Sequence, residues 1–203
     1  MIGVITGDII HSQKTDSALW LKILKSELNV LGQSPSVWEI YRGDSFQVEI
    51  GNPFEALRVA IKLKASVKSI KGIDVRISIG IGEKAYHAKK VTESNGSAFV
   101  YSGVQYDQLV KEKQNLMVST DSFIFNRDVN FYLKLGLLFM DNWSVNSAQV
   151  VKSTMENPSL SQQELGELLG IKQSAVSNRL KRANYSEVEQ LLEIYTFKIK
   201  ELL

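Results

Sequence analysis

Cysteine is absent from the 203 residues, which excludes disulfide scaffolds, thiolate zinc sites and cysteine nucleophiles. Histidine is scarce: His11 and His87 are the only two, far apart in sequence, and each reads as a loop residue. A strong charge imbalance is missing as well. Lysine plus arginine number 24 against 22 aspartates and glutamates, a net charge of +2, so any site for a polyanion must be local. No apolar run is long enough for a membrane span, since the densest, Phe131 to Met140, is interrupted by Lys134 and closed by Asp141. The N-terminus has no basic stretch and meets Asp8 early, unlike a secretory signal. The expectation is a cytoplasmic protein without a membrane partner. What is present is 44% hydrophobic residues, enough to bury a sizeable core.

The pattern along the chain predicts an α+β protein. Met1 to Ile10 reads as a buried strand carrying Asp8 near its end, and Thr15 to Leu31 repeats its apolar residues at helical spacing. Trp38 to Ile50 alternates as a hairpin broken at Arg42-Gly43-Asp44-Ser45. Pro53 opens a second amphipathic helix closed at Lys71-Gly72, and Val75 to Ile81 alternates as another strand. The order β-α-β-β-α-β predicts a ferredoxin-like split βαβ domain, an antiparallel sheet with both helices on one face. A short helix from Ala98 to Lys111 and a short strand at Leu116 to Ser119 complete this domain, placed at residues 1–126. Residues 127–203 form an all-α domain. Val129 to Met155 is one long helix or two short ones, followed by three more helical segments.

Within this helical part, residues 159–183 have the signature of a helix-turn-helix. Ser161-Gln162-Gln163-Glu164 has capping-box spacing. Leu165, Leu168 and Leu169 make an apolar stripe, Gly166 permits close helix contact, and Gly170 suits a left-handed turn before Ile171. The next helix buries Ala175, Val176 and Leu180, leaving Gln173, Ser174, Ser177, Asn178 and Lys181 outside, with Lys172, Arg179 and Arg182 placed for phosphates. Short amides and hydroxyls near a helix N-terminus suit base edges in a major groove, and cations suit the backbone. DNA is therefore the expected partner, a helical hairpin that merely packs being the alternative. Four cations allow at most about two to four phosphate contacts, a log-log salt slope of roughly −2 to −4. One copy binds weakly, so a homodimer is expected. Ser186-Glu187-Val188-Glu189 repeats the capping-box spacing ahead of a last helix, whose stripe of Val188, Leu191, Leu192, Tyr195, Ile199 and Leu202 packs on its own domain or on a second copy.

Asp8 and Asp44 lie on strands that the split βαβ order makes neighbours. Paired carboxylates there, beside the helix that follows Ser12, suit Mg²⁺ with a nucleotide triphosphate. The alternative is that Asp44 is a turn residue and Asp8 caps a loop. The segments Ile5-Thr6-Gly7-Asp8-Ile9-Ile10-x-Ser12, Arg42-Gly43-Asp44-Ser45-Phe46-Gln47 and Arg76-Ile77-Ser78-Ile79-Gly80-Ile81-Gly82 resemble the metal-binding strands of class III nucleotidyl cyclase catalytic domains. Joined to a terminal helix-turn-helix, nearly the whole chain resembles the SatD family of small bacterial proteins. The resemblance implies that Asp8 and Asp44 match metal-binding carboxylates, that Ile9 offers a backbone carbonyl, and that Ser12 and Gly43 lie at the phosphates. Where cyclases place a sugar-binding asparagine and a phosphate-clamping arginine, the similar segment Gly96 to Val104 has Val100 and Val104. Because phosphoryl transfer depends mostly on positioning and electrostatics, loss of an arginine clamp costs several orders of magnitude in rate, so cyclase activity is not expected. The expected function is therefore a DNA-binding regulator with a catalytically degenerate cyclase-like domain that senses nucleotide and metal or dimerises. The alternative is a metal-dependent nucleotide-processing enzyme with an accessory helix-turn-helix.

Overall fold

The isoleucine and valine residues at the N-terminus form β1 (Ile2–Ile10), the centre of a five-stranded sheet. The computed structural model describes residues 1–202, with every side chain among them but that of Val110. β1 pairs antiparallel with both β3 (Ser45–Ile50) and β4 (Asp74–Gly82). Beyond β3 lies β2 (Trp38–Tyr41), and beyond β4 lies β5 (Leu116–Ser119), parallel to it. The order β2-β3-β1-β4-β5 contains the split βαβ arrangement, extended by one strand.

Period-2 alternation divides β1 between two faces. Ile5 and Ile9 are buried with Leu24 and Leu28 of α1 (Ser17–Leu31) and Leu57 and Ile61 of α2 (Ala56–Lys68). Val4 points the other way, into a cluster with Val91 and with Ala98 and Phe99 of α3 (Ser97–Glu112). This third helix spans four turns rather than a short segment, and it covers the face opposite α1 and α2. It approaches so closely that a Cβ on Gly80 would stand 2.1 Å from the Ala98 carbonyl oxygen, so only glycine fits there.

The helical half begins at Phe123, ahead of the expected Val129. The stretch expected as one helix or two is two: α4 (Phe123–Met140) and α5 (Val145–Glu156), the second capped by Ser144. The division after residue 126 falls within the first turn of α4. α6 (Gln162–Leu169), α7 (Gln173–Arg182) and α8 (Tyr185–Leu202) follow. The α+β class holds, with the sheet first and the helix-turn-helix in an all-helical C-terminal part.

α4 also closes an exposed edge of the sheet. Asn130 accepts from the Val118 amide and donates to its carbonyl, both at 2.8 Å, and Asn126 does the same for Thr120 at 2.8 and 2.9 Å. Two side-chain amides one helical turn apart thus replace a sixth strand at Val118 of β5 and at Thr120 just beyond its end, satisfying groups that would otherwise invite strand pairing.

One hydrophobic core runs from Ile5 of β1 to Ile199 of α8. α2 packs on α5 and α8, and the buried Tyr195 hydroxyl donates to the Pro53 carbonyl at 2.8 Å. Buried charge crosses the same junction. Lys64, 1% exposed, meets Asp74 at 2.8 Å and Asp141 at 2.7 Å. Glu27 of α1 meets Lys62 of α2 at 3.0 Å and Lys152 of α5 at 3.1 Å. Burial alone would raise the Glu27 carboxyl, but the two lysines outweigh it and hold it below its ordinary value.

Candidate nucleic-acid interface and carboxylate cluster

The helix-turn-helix is built as its local sequence requires. Ser161 caps α6, its hydroxyl accepting from the Glu164 amide at 3.3 Å while the Glu164 carboxylate accepts from the Ser161 amide at 2.7 Å. The Ser161 hydroxyl, which also donates to the Glu164 carboxylate at 2.7 Å, and the Ser161 amide together hold the Glu164 carboxyl below its ordinary value. Gly170 takes the left-handed conformation at φ 65°, and the Ile171 amide then bonds to the Gly166 carbonyl at 2.9 Å. A Cβ on Gly166 would stand 2.7 Å from the Ile171 carbonyl oxygen, so the turn folds back onto bare backbone.

Val150 of α5, Leu165 of α6 and Val176 of α7 form a separate small core, with Leu160, Leu169, Ile171 and Leu180 around it. The unit is therefore a trihelical one that includes α5. Leu168 does not join the stripe expected of it; it is 60% exposed. Ala175 and Leu180 are half-buried, and only Val176 of the expected three is fully enclosed.

α7 presents Gln173, Ser174, Asn178, Lys181 and Arg182 to solvent, with Lys172 ahead of its first turn; Ser177 and Arg179 are half-buried. At 100° per residue, Gln173, Ser174, Ser177, Asn178 and Lys181 share one face, while Arg179 falls toward the body. Lys172, the residue before α7, makes no side-chain cap, so the first amides of the helix have no side-chain partner from that position. Gln173 donates to Gln162 of α6 at 3.0 Å, tying the two helix starts together. None of Lys172, Arg179, Lys181 and Arg182 forms an ion pair among the described residues. The other end of α7 is fixed from outside the motif: the buried Trp143 indole donates to the Ala183 carbonyl at 2.8 Å.

The N-terminal candidates gather at one end of the sheet. Asp8 stands opposite Ser45 on β3 and Arg76 on β4. Asp44 lies in the β2–β3 turn, where its carboxylate accepts from the Ser12 hydroxyl at 2.6 Å and its carbonyl accepts from the Ile9 amide at 3.2 Å. Ser12, Gly43 and Asp44 line a surface depression of about 570 Å³ together with Gln13 and Arg42. Gly43 is in the left-handed region at φ 89°, as its turn requires.

Asp8 has surroundings the sequence did not disclose. Arg76 Nε lies 3.9 Å from its Oδ1, Tyr106 of α3 faces it, and that Oδ1 is buried without a hydrogen bond. Burial pushes the Asp8 carboxyl up; Tyr106 and Arg76 counter this and the Asp44 charge adds to it. The Tyr106 hydroxyl is pushed far up by burial and by the Asp8 charge. Arg76 was legible as a strand residue, but its role depends on register, and Tyr106 is reached only through the close contact of α3 with β1. Among the described residues no group of three or more histidines, aspartates and glutamates is arranged to hold a metal ion. The helix start expected to favour phosphate is already served, since Asp16 caps α1 and accepts from the Ala18 amide at 2.9 Å.

Residues 149–183, the greater part of α5 with α6 and α7, match the winged helix-turn-helix DNA-binding family. Among the described residues no strand follows Ser119, and α8 comes directly after α7 in the chain. No curated protein is found to match the chain. No described helix is long and apolar enough to cross a membrane.

Proposed function

We propose that the protein is a cytoplasmic DNA-binding regulator that acts as a homodimer, with α7 as its reading helix and the sheet domain as a nucleotide sensor. The DNA-binding family match and the unpaired cations of α7 carry the first part. In this reading Gln173, Ser174, Ser177 and Asn178 meet base edges in the major groove, while Lys172, Lys181 and Arg182 meet phosphates and the half-buried Arg179 reaches one only from the margin of the helix. Two copies are needed because one supplies so few phosphate contacts.

The sensor reading rests on the sequence resemblance to class III nucleotidyl cyclases and the SatD family. The clustering of Asp8, Ile9, Ser12, Gly43 and Asp44 supports it, as does the buried Asp8 oxygen left without a hydrogen bond. Two carboxylates, one facing Arg76, hold Mg²⁺ poorly, so nucleotide phosphates would have to complete its oxygen shell. By that resemblance Val100 and Val104 align with the sugar-binding and phosphate-clamping residues of a cyclase, and neither valine can do that work; both are exposed on α3.

The test is selection of genomic DNA fragments by the purified protein at two salt concentrations, with and without Mg²⁺ and ATP or GTP. A common enriched motif is the expected result, and none would overturn the DNA reading. A nucleotide at about 100 times its dissociation constant should add about 2.7 kcal/mol of stability. Unchanged thermal stability with every nucleotide would overturn the sensor reading.

A further inference from the structure

Helix α4 turns large apolar side chains to solvent. While Phe125, Val129, Leu133 and Leu137 enter the core, Ile124, Phe131 and Leu138 face outward at 62%, 59% and 71% exposure, with Leu135 at 46% beside them. The first three stand seven residues apart, the interval that keeps side chains on one seam between two wrapped helices. Four large apolar side chains turned to solvent along one helix face mark an interaction surface rather than the ordinary scatter of single exposed residues.

We propose that this face is the dimer interface, α4 pairing in parallel with α4 of a second copy about a two-fold axis. The need for two copies rests on the DNA-binding reading above, but the choice of surface rests on α4 alone. Charge selects the partner and its direction. At 100° per residue Arg127 lies on one flank of the row and Asp128 on the other, at nearly the same height. A two-fold axis along the helices brings opposite flanks together at equal height, so Arg127 of each copy meets Asp128 of the other. Antiparallel pairing would bring matching flanks together and set Arg127 against Lys134, a repulsive contact. Arg127 now reaches back to Asp128 of its own chain, at 2.8 and 2.9 Å, and its side chain is 62% exposed. Its guanidinium is therefore already at the edge of the row, and an exchange between copies leaves each Asp128 with an arginine as well as with Lys198, 3.4 Å away on its own chain.

The cysteine-free chain makes the test direct. Single variants Ile124→Cys, Phe131→Cys and Leu138→Cys are treated with a short bis-maleimide, with Val100→Cys on the exposed face of α3 as comparison. The expected result is a covalent dimer from all three α4 positions and little from Val100. Crosslinking at position 131 alone would overturn the parallel arrangement, and crosslinking at Val100 alone, or nowhere, would overturn the surface. Light scattering on the intact chain gives a second reading: Phe131→Asp should raise the dimer dissociation constant by about 100-fold, and Arg127→Glu should raise it measurably. Phe131 is exposed, so the thermal melt of the Phe131→Asp monomer should not move. Dimers that crosslink on α4 yet bind no DNA would overturn the DNA reading and leave this interface standing. Full DNA binding by a protein that stays monomeric would do the reverse.

Discussion

Asp8 costs the fold stability, and its sign with pH can be worked out. Its carboxyl is raised by burial above the ordinary 3.8, so the native state prefers the protonated form. Its favourable contribution is complete below pH 3.8 and is lost as pH rises through the raised value. Asp8→Asn should therefore melt at a higher temperature than the parent protein at pH 7, with the advantage vanishing toward pH 3; a lower melting temperature at pH 7 would contradict this. Glu27 has the opposite sign. Its depressed carboxyl contributes stability above its ordinary value, lost as pH falls through the lowered one. Glu27→Gln should leave Lys62 and Lys152 without their carboxylate and cost about 3 kcal/mol, measured by chemical denaturation at pH 7. Asp8 and Asp44 were legible in the sequence because a carboxylate at a strand end or in a turn stands out locally. Tyr106 was not, since it reaches Asp8 only through the packing of α3 across β1.

At the scale of elements, the helix-turn-helix was the most legible part because its signals are local. Ser161 with Glu164, Gly166 and Gly170 each fix backbone within a few residues, and all perform as their chemistry dictates. Elements set by tertiary contact were less so. The capping-box spacing at Ser186 misled: α8 begins at Tyr185, straight after Asn184 at φ 51°, and the Ser186 hydroxyl donates to Glu187 instead. Periodicity marked α4 as a helix without showing that Phe131, Leu135 and Leu138 would face outward, because an amphipathic pattern carries no record of which apolar side meets the core. Gly166 tests the motif as a unit. With a Cβ forced to 2.7 Å from the Ile171 carbonyl oxygen, Gly166→Ala should cost about 1 to 3 kcal/mol. It should also weaken DNA retention while the sheet half keeps its hydrogen-exchange protection.

At the scale of the molecule, the sheet half and the helical half share one core, and α7 is tied to it. Trp143 holds the Ala183 carbonyl at the end of α7, and Asp141, two residues earlier, meets the buried Lys64 of α2. Lys64→Ala, which leaves Asp74 and Asp141 without this buried cation, should destabilise by about 3 to 5 kcal/mol. The loss should appear as a single unfolding transition seen equally by probes in both halves; two separate transitions would contradict a shared core. None of this was legible in the sequence, where residues 64, 74 and 141 belong to segments read as independent.

The central claim, that α7 binds DNA through its unpaired cations, is tested most directly by the salt dependence of binding to the best selected duplex. Fluorescence anisotropy should give a log-log slope of about −2 to −4 for each bound copy. Lys181→Ala should reduce its magnitude by roughly one per copy and weaken binding to all sequences alike, whereas Asn178→Ala should relax the sequence preference and leave the slope unchanged. A slope near zero, or one that Lys181→Ala does not alter, would contradict the account.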